Sequence, residues 1–423
     1  MTKRSKFLRP TLMTGLTLAA ALLASAGCGK PEAHFKLNRP FTLKAETEAG
    51  AQLGDRTEDV ADILAAMFGT PDEPHVPALP DFDTSTVLNI NRLKMAAGPV
   101  ESDQQGNPRG LYREHCAHCH GISGDGLGPT AAFLNPYPRD YRKGQYKFKS
   151  TPIGSRPTHE DLRRVLVEGI PGTAMPSFKL LPADELDALV QYVKYLSIRG
   201  EVERALVSNT LAELDEKDRL ISLELKEASE EEKQEQFAGQ LALIKDVANT
   251  SFEAWAKADS QVTPVPARPE ISMTREESIA RGREVFFTVA NCNKCHGDTG
   301  LGDGQTTDFD EWTKELLPDQ PEMLQKFLAL GALEPRNIRP RNLRQGIYRG
   351  GRRPVDIYWR VFNGIEGTPM PGMGPNVLKE GEAPDPKKLT QEDLWHLIEY
   401  VRSLPYDPLS RGDHSPTFQR DRN

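Results

Sequence analysis

Apolar positions recur at helical spacing in several separate stretches of this chain, and segments rich in proline and glycine join them. Residues 12–26 are mostly apolar and follow a basic start at Lys3, Arg4, Lys6 and Arg9. Val60, Ile63, Leu64, Met67 and Phe68 share one face of a helix expected over residues 57–69. Pro71, Pro74, Pro77 and Pro80 then predict an extended run. Leu206, Leu211 and Leu214, and later Leu241, Ile244 and Val247, predict two helices across residues 201–258, broken near Ser229, Glu230, Glu231 and Glu232. They are expected as a hairpin packed between two larger units, with the charge run as a solvated face. Pro264, Pro266 and Pro269 end that region, and the chain after Pro405 has no periodicity and reads as an extended surface strap. Residues 29 to about 100 carry no chemical motif and read as a tether with one packed helix, or as a segment wrapped onto a neighbouring domain or a partner.

The chain also repeats itself. Pro138-Arg139-Asp140-Tyr141-Arg142-Lys143-Gly144-Gln145-Tyr146 matches Pro340-Arg341-Asn342-Leu343-Arg344-Gln345-Gly346-Ile347-Tyr348. Gly169-Ile170-Pro171-Gly172-Thr173-Ala174-Met175-Pro176 matches Gly364-Ile365-Glu366-Gly367-Thr368-Pro369-Met370-Pro371. Each copy closes on an amphipathic helix, at residues 189–196 and 397–404. The second copy holds an insertion between Asp308 and Pro335 that also has helical spacing, through Trp312, Leu316, Leu317, Met323, Leu324, Phe327 and Leu328. It is placed to shield a cofactor edge or to bind a partner.

Each copy starts on the same pentapeptide pattern, Cys-x-x-Cys-His, at Cys116, Cys119 and His120 and at Cys292, Cys295 and His296. Four of the five cysteines belong to it. Two thiols three residues apart lie on one side of a helical turn and can form thioethers to the two vinyl groups of a haem, while the next histidine faces the iron. A redox disulfide in each pair, or one zinc shared by both pairs, also needs two such cysteines, but neither needs the histidine. His115 and His118 flank the first motif and read as surface residues. His159 and His396 fall in helical segments, His396 as a packing residue. Gly124, Gly126 and Gly128, like Gly300, Gly302 and Gly304, predict a loop whose backbone packs closely against porphyrin. No Lys-Ser/Thr ending follows these glycines, so they are not a nucleotide loop.

A length of 423 residues allows two or three domains. With 27% charged and 38% hydrophobic residues, the composition is that of soluble globular units with polar connectors. A formal net charge of −8 excludes nucleic acid as the expected partner. The basic start and short apolar block predict an export signal rather than a membrane span. The block ends at Ser25-Ala26-Gly27-Cys28, where Cys28 stands as the expected lipidation site of a bacterial lipoprotein, with Ser25 where Leu is usual. The mature chain is then expected to be tethered on the periplasmic side of a bacterial membrane.

The order of haem turn, Pro/Gly-rich loops, middle helix, Met loop and final helix resembles the class I c-type cytochromes. The resemblance covers about 100–200 and about 273–406, with Ile279, Gly282, Val285 and Phe286 fitting the family's first helix in the second copy. In the first copy Gly106, Pro108 and Gly110 leave little room for that helix before Tyr112. The resemblance implies an all-α fold of two tandem cytochrome c-like haem domains joined by a helical linker. The boundaries expected are 1–27 for a lipoprotein signal peptide, 28–100 for an N-terminal segment, 101–200 and 273–408 for the haem domains, 201–272 for the linker and 409–423 for the tail. It implies two covalently attached haem c groups, with His120 and His296 as proximal ligands and the sulfurs of Met175 and Met370 opposite. Met373, three residues beyond Met370, is a second sulfur that competes for the same iron. A methionine that only fills a core gap is the plainer alternative. Proline after each methionine stiffens the loop. Arg139, Arg142 and Tyr146, and Arg341, Arg344 and Tyr348, are basic, hydrogen-bonding clusters suited to haem propionates.

With both axial positions filled, iron has no site for substrate, and the chain is expected to carry single electrons rather than act as an enzyme. The donors expected are a quinol-oxidising complex or a dehydrogenase, and the acceptors an oxidase, a reductase or a soluble cytochrome. Two other readings remain: a fixed haem subunit of a larger respiratory complex, and a dihaem peroxidase-like enzyme with one open iron.

Overall fold

Longer helices form where the apolar stripes lie; short helical turns between them carry the paired cysteines, and loops carry Met175 and Met370. The structure is a computed structural model that describes residues 32–106, 108–215, 218–220, 229–268, 273–304, 308–317, 321–379, 381–383 and 385–406, without the side chains of residues 230, 232, 233, 236, 311 and 312. The expected export signal, Cys28, the C-terminal tail and the side chains of Glu230, Glu232 and Trp312 lie outside the described residues. Among the described residues no helix is long and apolar enough to cross a membrane.

The helices are α1 (Arg39–Ala49), α2 (Arg56–Phe68), α3 (Ile90–Ala96), α4 (Leu111–His115), α5 (Ala117–His120), α6 (His159–Glu168), α7 (Ala183–Glu213), α8 (Glu230–Ala256), α9 (Arg275–Phe287), α10 (Asn293–His296), α11 (Glu311–Lys314), α12 (Pro321–Ala329), α13 (Pro354–Asn363) and α14 (Gln391–Ser403). The strands are two-residue pieces in two antiparallel ladders, Glu101–Ser102 with Pro108–Arg109 and Asp308–Phe309 with Asn337–Ile338. The fold is therefore helix-rich with two small hairpin ladders.

The chain from Phe35 onward forms one compact unit with two hydrophobic cores. In the second core, α9 crosses α14, and both begin with a threonine capping box, Thr274 with Glu277 and Thr390 with Asp393. Gly282 lies at the crossing, where an added Cβ would overlap the carbonyl of His396. In the first core the partner of the final helix α7 is α3, seven residues long. The ladder at 101–109 separates α3 from the haem turn, which is where Gly106, Pro108 and Gly110 were expected to interrupt a helix.

Two expectations change. The N-terminal segment is no tether with a single packed helix: it contributes α1, α2 and α3, and buries Leu53, Val60, Ile63, Leu64, Phe68, Leu88 and Leu93 in the first core. The first linker helix is not a separate element either. α7 runs unbroken for 31 residues, about 45 Å at 1.5 Å per residue. Its partner α8 does start at Glu230, where the break was expected, but Val247, Phe252 and Trp255 join the first core, so the pair does not lie between two units.

Replacing Gly282 by Ala should destabilise the protein by about 1–3 kcal/mol through overpacking, although Ala for Gly inside a helix ordinarily gains about 0.5–1 kcal/mol. Gly239, exposed on α8 with nothing near its missing Cβ, should show that ordinary gain. Denaturant midpoints of the two variants, shifted in opposite directions, check the crossing.

Candidate functional site

The two Cys-x-x-Cys-His turns have one geometry. The amide of His120 donates to the carbonyl of Cys116 at 2.9 Å, and that of His296 to Cys292 at 2.9 Å. Each histidine carbonyl then accepts from a loop glycine, Gly126 or Gly302, at 2.9 Å in both copies. The rings are fixed the same way. His120 Nδ1 lies 3.0 Å from the carbonyl of Arg139, and His296 Nδ1 lies 3.4 Å from that of Arg341. A carbonyl can only accept, so Nδ1 is the protonated nitrogen and Nε2 carries the lone pair. Burial pushes the His120 imidazole down to about 4 and also lowers His296, so both rings are neutral. That is the tautomer and charge state of a metal-ligating imidazole. The His120 ring lies against Tyr141, with centroids 4.7 Å apart.

No disulfide joins any of the four motif cysteines. Burial pushes the thiols of Cys116 and Cys292 up to about 12, surroundings that suit a sulfur ending as a neutral thioether. Among the described residues no three His, Cys, Asp or Glu side chains are grouped as a metal site, so a zinc shared by the two pairs finds no support. The donor set present, two thiols and a neutral imidazole per turn, fits covalently held haem.

The methionine loops also match. Ile170 donates to the Met175 carbonyl at 3.2 Å, and Ile365 to the Met370 carbonyl at 3.1 Å. Thr173 and Thr368 brace these loops: each hydroxyl donates to an isoleucine carbonyl at 2.8 Å and accepts from the methionine amide, at 3.1 Å for Met175 and 3.2 Å for Met370. Gly169, with φ of 66°, and Gly364, with φ of 80°, let each loop lie directly on the end of the middle helix. A Cβ at Gly169 would come within 2.7 Å of the Pro176 backbone. Met175 and Met370 are half-buried. Met373 has a different place. Its amide donates to Val361 at 2.8 Å, as the amide of Phe178 donates to Leu166 at 2.8 Å in the first copy. Met373 is thus the counterpart of Phe178, and both pack against the neighbouring core.

Most of the expected propionate groups are engaged elsewhere. Arg142 is buried and holds Asp140 with two bonds of 2.9 and 2.7 Å. The Tyr146 hydroxyl pairs with Ser197 at 2.7 Å, and Tyr348 donates to the Val401 carbonyl at 2.8 Å. Arg344 donates to the carbonyls of Thr299 and Leu404. These four side chains tie each loop to itself or to its final helix. Arg341 donates to the carbonyl of Ile347 at 3.4 Å, and Arg139 feels the charges of Asp310 and Glu366 in the second copy. A Cβ at Gly126 or Gly302 would strike the carbonyl of Pro138 or Pro340, so each glycine loop also lies close against the chain's own backbone.

The sequence profile described as "Cytochrome C oxidase, cbb3-type, subunit III" matches residues 103–193, and that described as "Cytochrome c" matches residues 279–405. Cytochrome c55X of Paracoccus denitrificans (strain Pd 1222) is 34% identical over 101 residues, 23% of this chain and 79% of that protein. The chain belongs to the c-type cytochromes. A chain of the reducing HAO-like protein complex of Kuenenia stuttgartiensis, 23% identical, covers 72% of this chain and 98% of its own length with a TM-score of 0.42.

As a c-type cytochrome, the protein binds haem covalently and transfers electrons. The other histidines take different places, His118 within the first turn and the rest outside both. His118 is exposed, His115 lies against Phe178 and His159 against Asp187. His396 is buried and pairs with Ser278 at 2.8 Å. Residue reasoning missed the roles of Thr173 and Thr368, although both stand inside the repeated loop motif, and it missed Lys149 and Glu366. Those two form a buried ion pair that joins the first copy to the second methionine loop, and residues 217 apart in sequence give no signal of it.

Tyr146→Phe and Tyr348→Phe should each cost about 0.5–1.5 kcal/mol in unfolding free energy. Neither should move the haem midpoint potential. Denaturation and a redox titration on the same samples separate a structural tie from a propionate contact.

Proposed function

We propose that this cytochrome carries two haem c groups, one on each Cys-x-x-Cys-His turn, and moves single electrons between redox proteins on the periplasmic side of a bacterial membrane. His120 and His296 hold the irons from one face, and Met175 and Met370 close the other. Haem supplies an iron that alternates between ferrous and ferric states. The chain keeps the imidazoles neutral and aimed, covers the iron on both sides, and keeps each methionine in a braced loop so that little rearranges when charge changes. A soft thioether favours the ferrous state and raises the potential.

The observation that carries this reading is the equivalence of the two methionine loops, bond for bond, from the Thr braces to the helix-end glycines. A peroxidase-like site needs one iron without a stable methionine, and both loops hold their methionine with the same threonine brace and isoleucine amide. The placement of Met373 as the partner of Phe178 favours Met370 as the ligand. Export and a lipid anchor at Cys28 belong to the same reading and rest on the pattern of the first 28 residues. The donors we propose are a quinol-oxidising complex or a dehydrogenase, and the acceptors an oxidase, a reductase or a soluble cytochrome.

The mature protein, made in a host that attaches haem c, should gain the mass of two haems and show the near-infrared band of methionine-bound ferric iron. Met175→Ala and Met370→Ala should each remove half of that band. Met373→Ala should keep it whole and cost about 2 kcal/mol of stability, the low end for truncating a core methionine. A band halved by Met373→Ala and untouched by Met370→Ala would reverse the ligand assignment, and rapid carbon monoxide binding by one ferrous haem would favour the enzyme.

A further inference from the structure

The two copies meet along a seam, and the two methionine loops meet it differently. Inside each copy the loops match, but the faces they turn to the rest of the chain do not. Glu366 and Gly367 of the second loop are buried, whereas their counterparts Pro171 and Gly172 in the first are exposed. Asn363, at the end of α13, is also buried, and its counterpart Glu168, at the end of α6, is exposed.

The groups that cover the second loop come from outside the second copy. Lys149 of the first copy pairs with the Glu366 carboxylate, and both side chains are buried. The other oxygen of that carboxylate accepts from the Gly154 amide at 3.2 Å. Asn363 donates to the Ser150 carbonyl at 3.1 Å and accepts from the Thr263 hydroxyl at 2.7 Å. Thr263 closes the group: its amide donates to Ser150 at 3.0 Å, and its carbonyl accepts from Trp359 of α13 at 3.0 Å. Glu366 stands four residues before Met370, and Asn363 adjoins Gly364, on which the loop turns. The first loop is tied to the second copy through its backbone instead, where Arg349 donates to the Gly172 carbonyl at 3.2 Å. A loop already fixed at Glu366 and Asn363 has less freedom left to lose when its methionine takes a fixed place. Removing the cation from a buried pair strands the carboxylate and favours any arrangement that returns it to water.

We propose that Lys149 and Thr263 are positioning residues for Met370, so that the first copy and the segment after α8 hold the sulfur ligand of the second haem in place. This rests on the two-haem, methionine-ligated reading above. Met175 does not depend on these two residues. The second iron thus keeps its methionine on condition that the seam stays closed.

Imidazole competing for the ferric irons of the full-length protein, followed by the near-infrared band, tests this. In the Met175→Ala background the remaining band reports Met370, and in the Met370→Ala background it reports Met175. Lys149→Met should lower the imidazole concentration that halves the Met370 band by about tenfold, because it strands a buried carboxylate. Thr263→Val, which keeps the ion pair and removes one hydroxyl, should lower it by about threefold and carries the test should Lys149→Met not fold. The midpoint of the Met175 band should stay where it is in both. Equal shifts of the two bands, or a Met370 band that neither substitution moves, would overturn the positioning role and leave the two-haem reading standing. Absence of any band in the Met175→Ala protein before further substitution would remove the ligand reading itself.

Discussion

A histidine ring held by one backbone carbonyl is the contact on which the rest of each copy depends. The carbonyls of Arg139 and Arg341 select the tautomer of His120 and His296 and set the direction of Nε2. A carbonyl can do that only if its own loop does not move. In both copies the loop is hooked to the haem turn, by the amides of Tyr141 and Leu343 donating to Gly124 and Gly300 at 2.8 Å. It is also pinned to the final helix by Tyr146 or Tyr348. The final helix is in turn clamped by a second helix, α3 on α7 and α9 on α14. Helix packing thus reaches the ring nitrogen through a chain of short polar links.

The two copies reach this arrangement with different supports. In the second copy one helix of 13 residues does the clamping, and Gly282 allows the close crossing. In the first copy the clamp is a seven-residue helix, and α1, α2 and α8 add further cover around α7. The additional layers explain how a short helix suffices: α1, α2 and α8, all outside the repeat, also pack on α7. The insertion in the second copy serves the seam. Its Glu315 pairs with Lys143 at 2.9 Å, and Arg336, over the ring of Tyr137, donates to the carbonyls of Ala132 and Leu134. It bridges to the first copy's loops, a contact that its helical spacing had not suggested.

How far the sequence reveals this differs by element, for physical reasons. The turns, methionine loops and final helices were legible because each is a local pattern that occurs twice. α2 was legible from its apolar stripe. α1 was not, because it has no buried residue and so no stripe. The run-on of α7 past residue 200 was hidden by Ser197, Arg199, Glu201 and Glu203, polar residues that are all buried. Ser197 pairs with Tyr146, Glu201 with Trp255 and Arg156, and Glu203 with the amide of Asn38, all distant in sequence, so a polar run that looks like a connector is the inside of a helix. Four of the side chains expected at propionates also bond within the protein. Tyr146 and Tyr348 each reach the final helix, while Arg142 and Arg344 make different ties at the same position of the repeat, and recurrence alone does not tell a tie from a ligand.

Duplication also creates something that neither copy has alone. Within a copy, Arg139 or Arg341 is required for its carbonyl, and any residue with a backbone would serve the histidine. The side chain is therefore not committed by that task. When two copies are set against each other, the same position places two guanidinium groups at one seam, with Lys147 and Arg349 beside them. Asp310, 3.5 Å from Lys147, comes from the insertion that the first copy lacks. A backbone atom orients the metal ligand, and the side chain of the same residue is left to define what lies between the two sites. Contacts between the copies can thus change through side chains at the seam while the geometry at each histidine stays as it is.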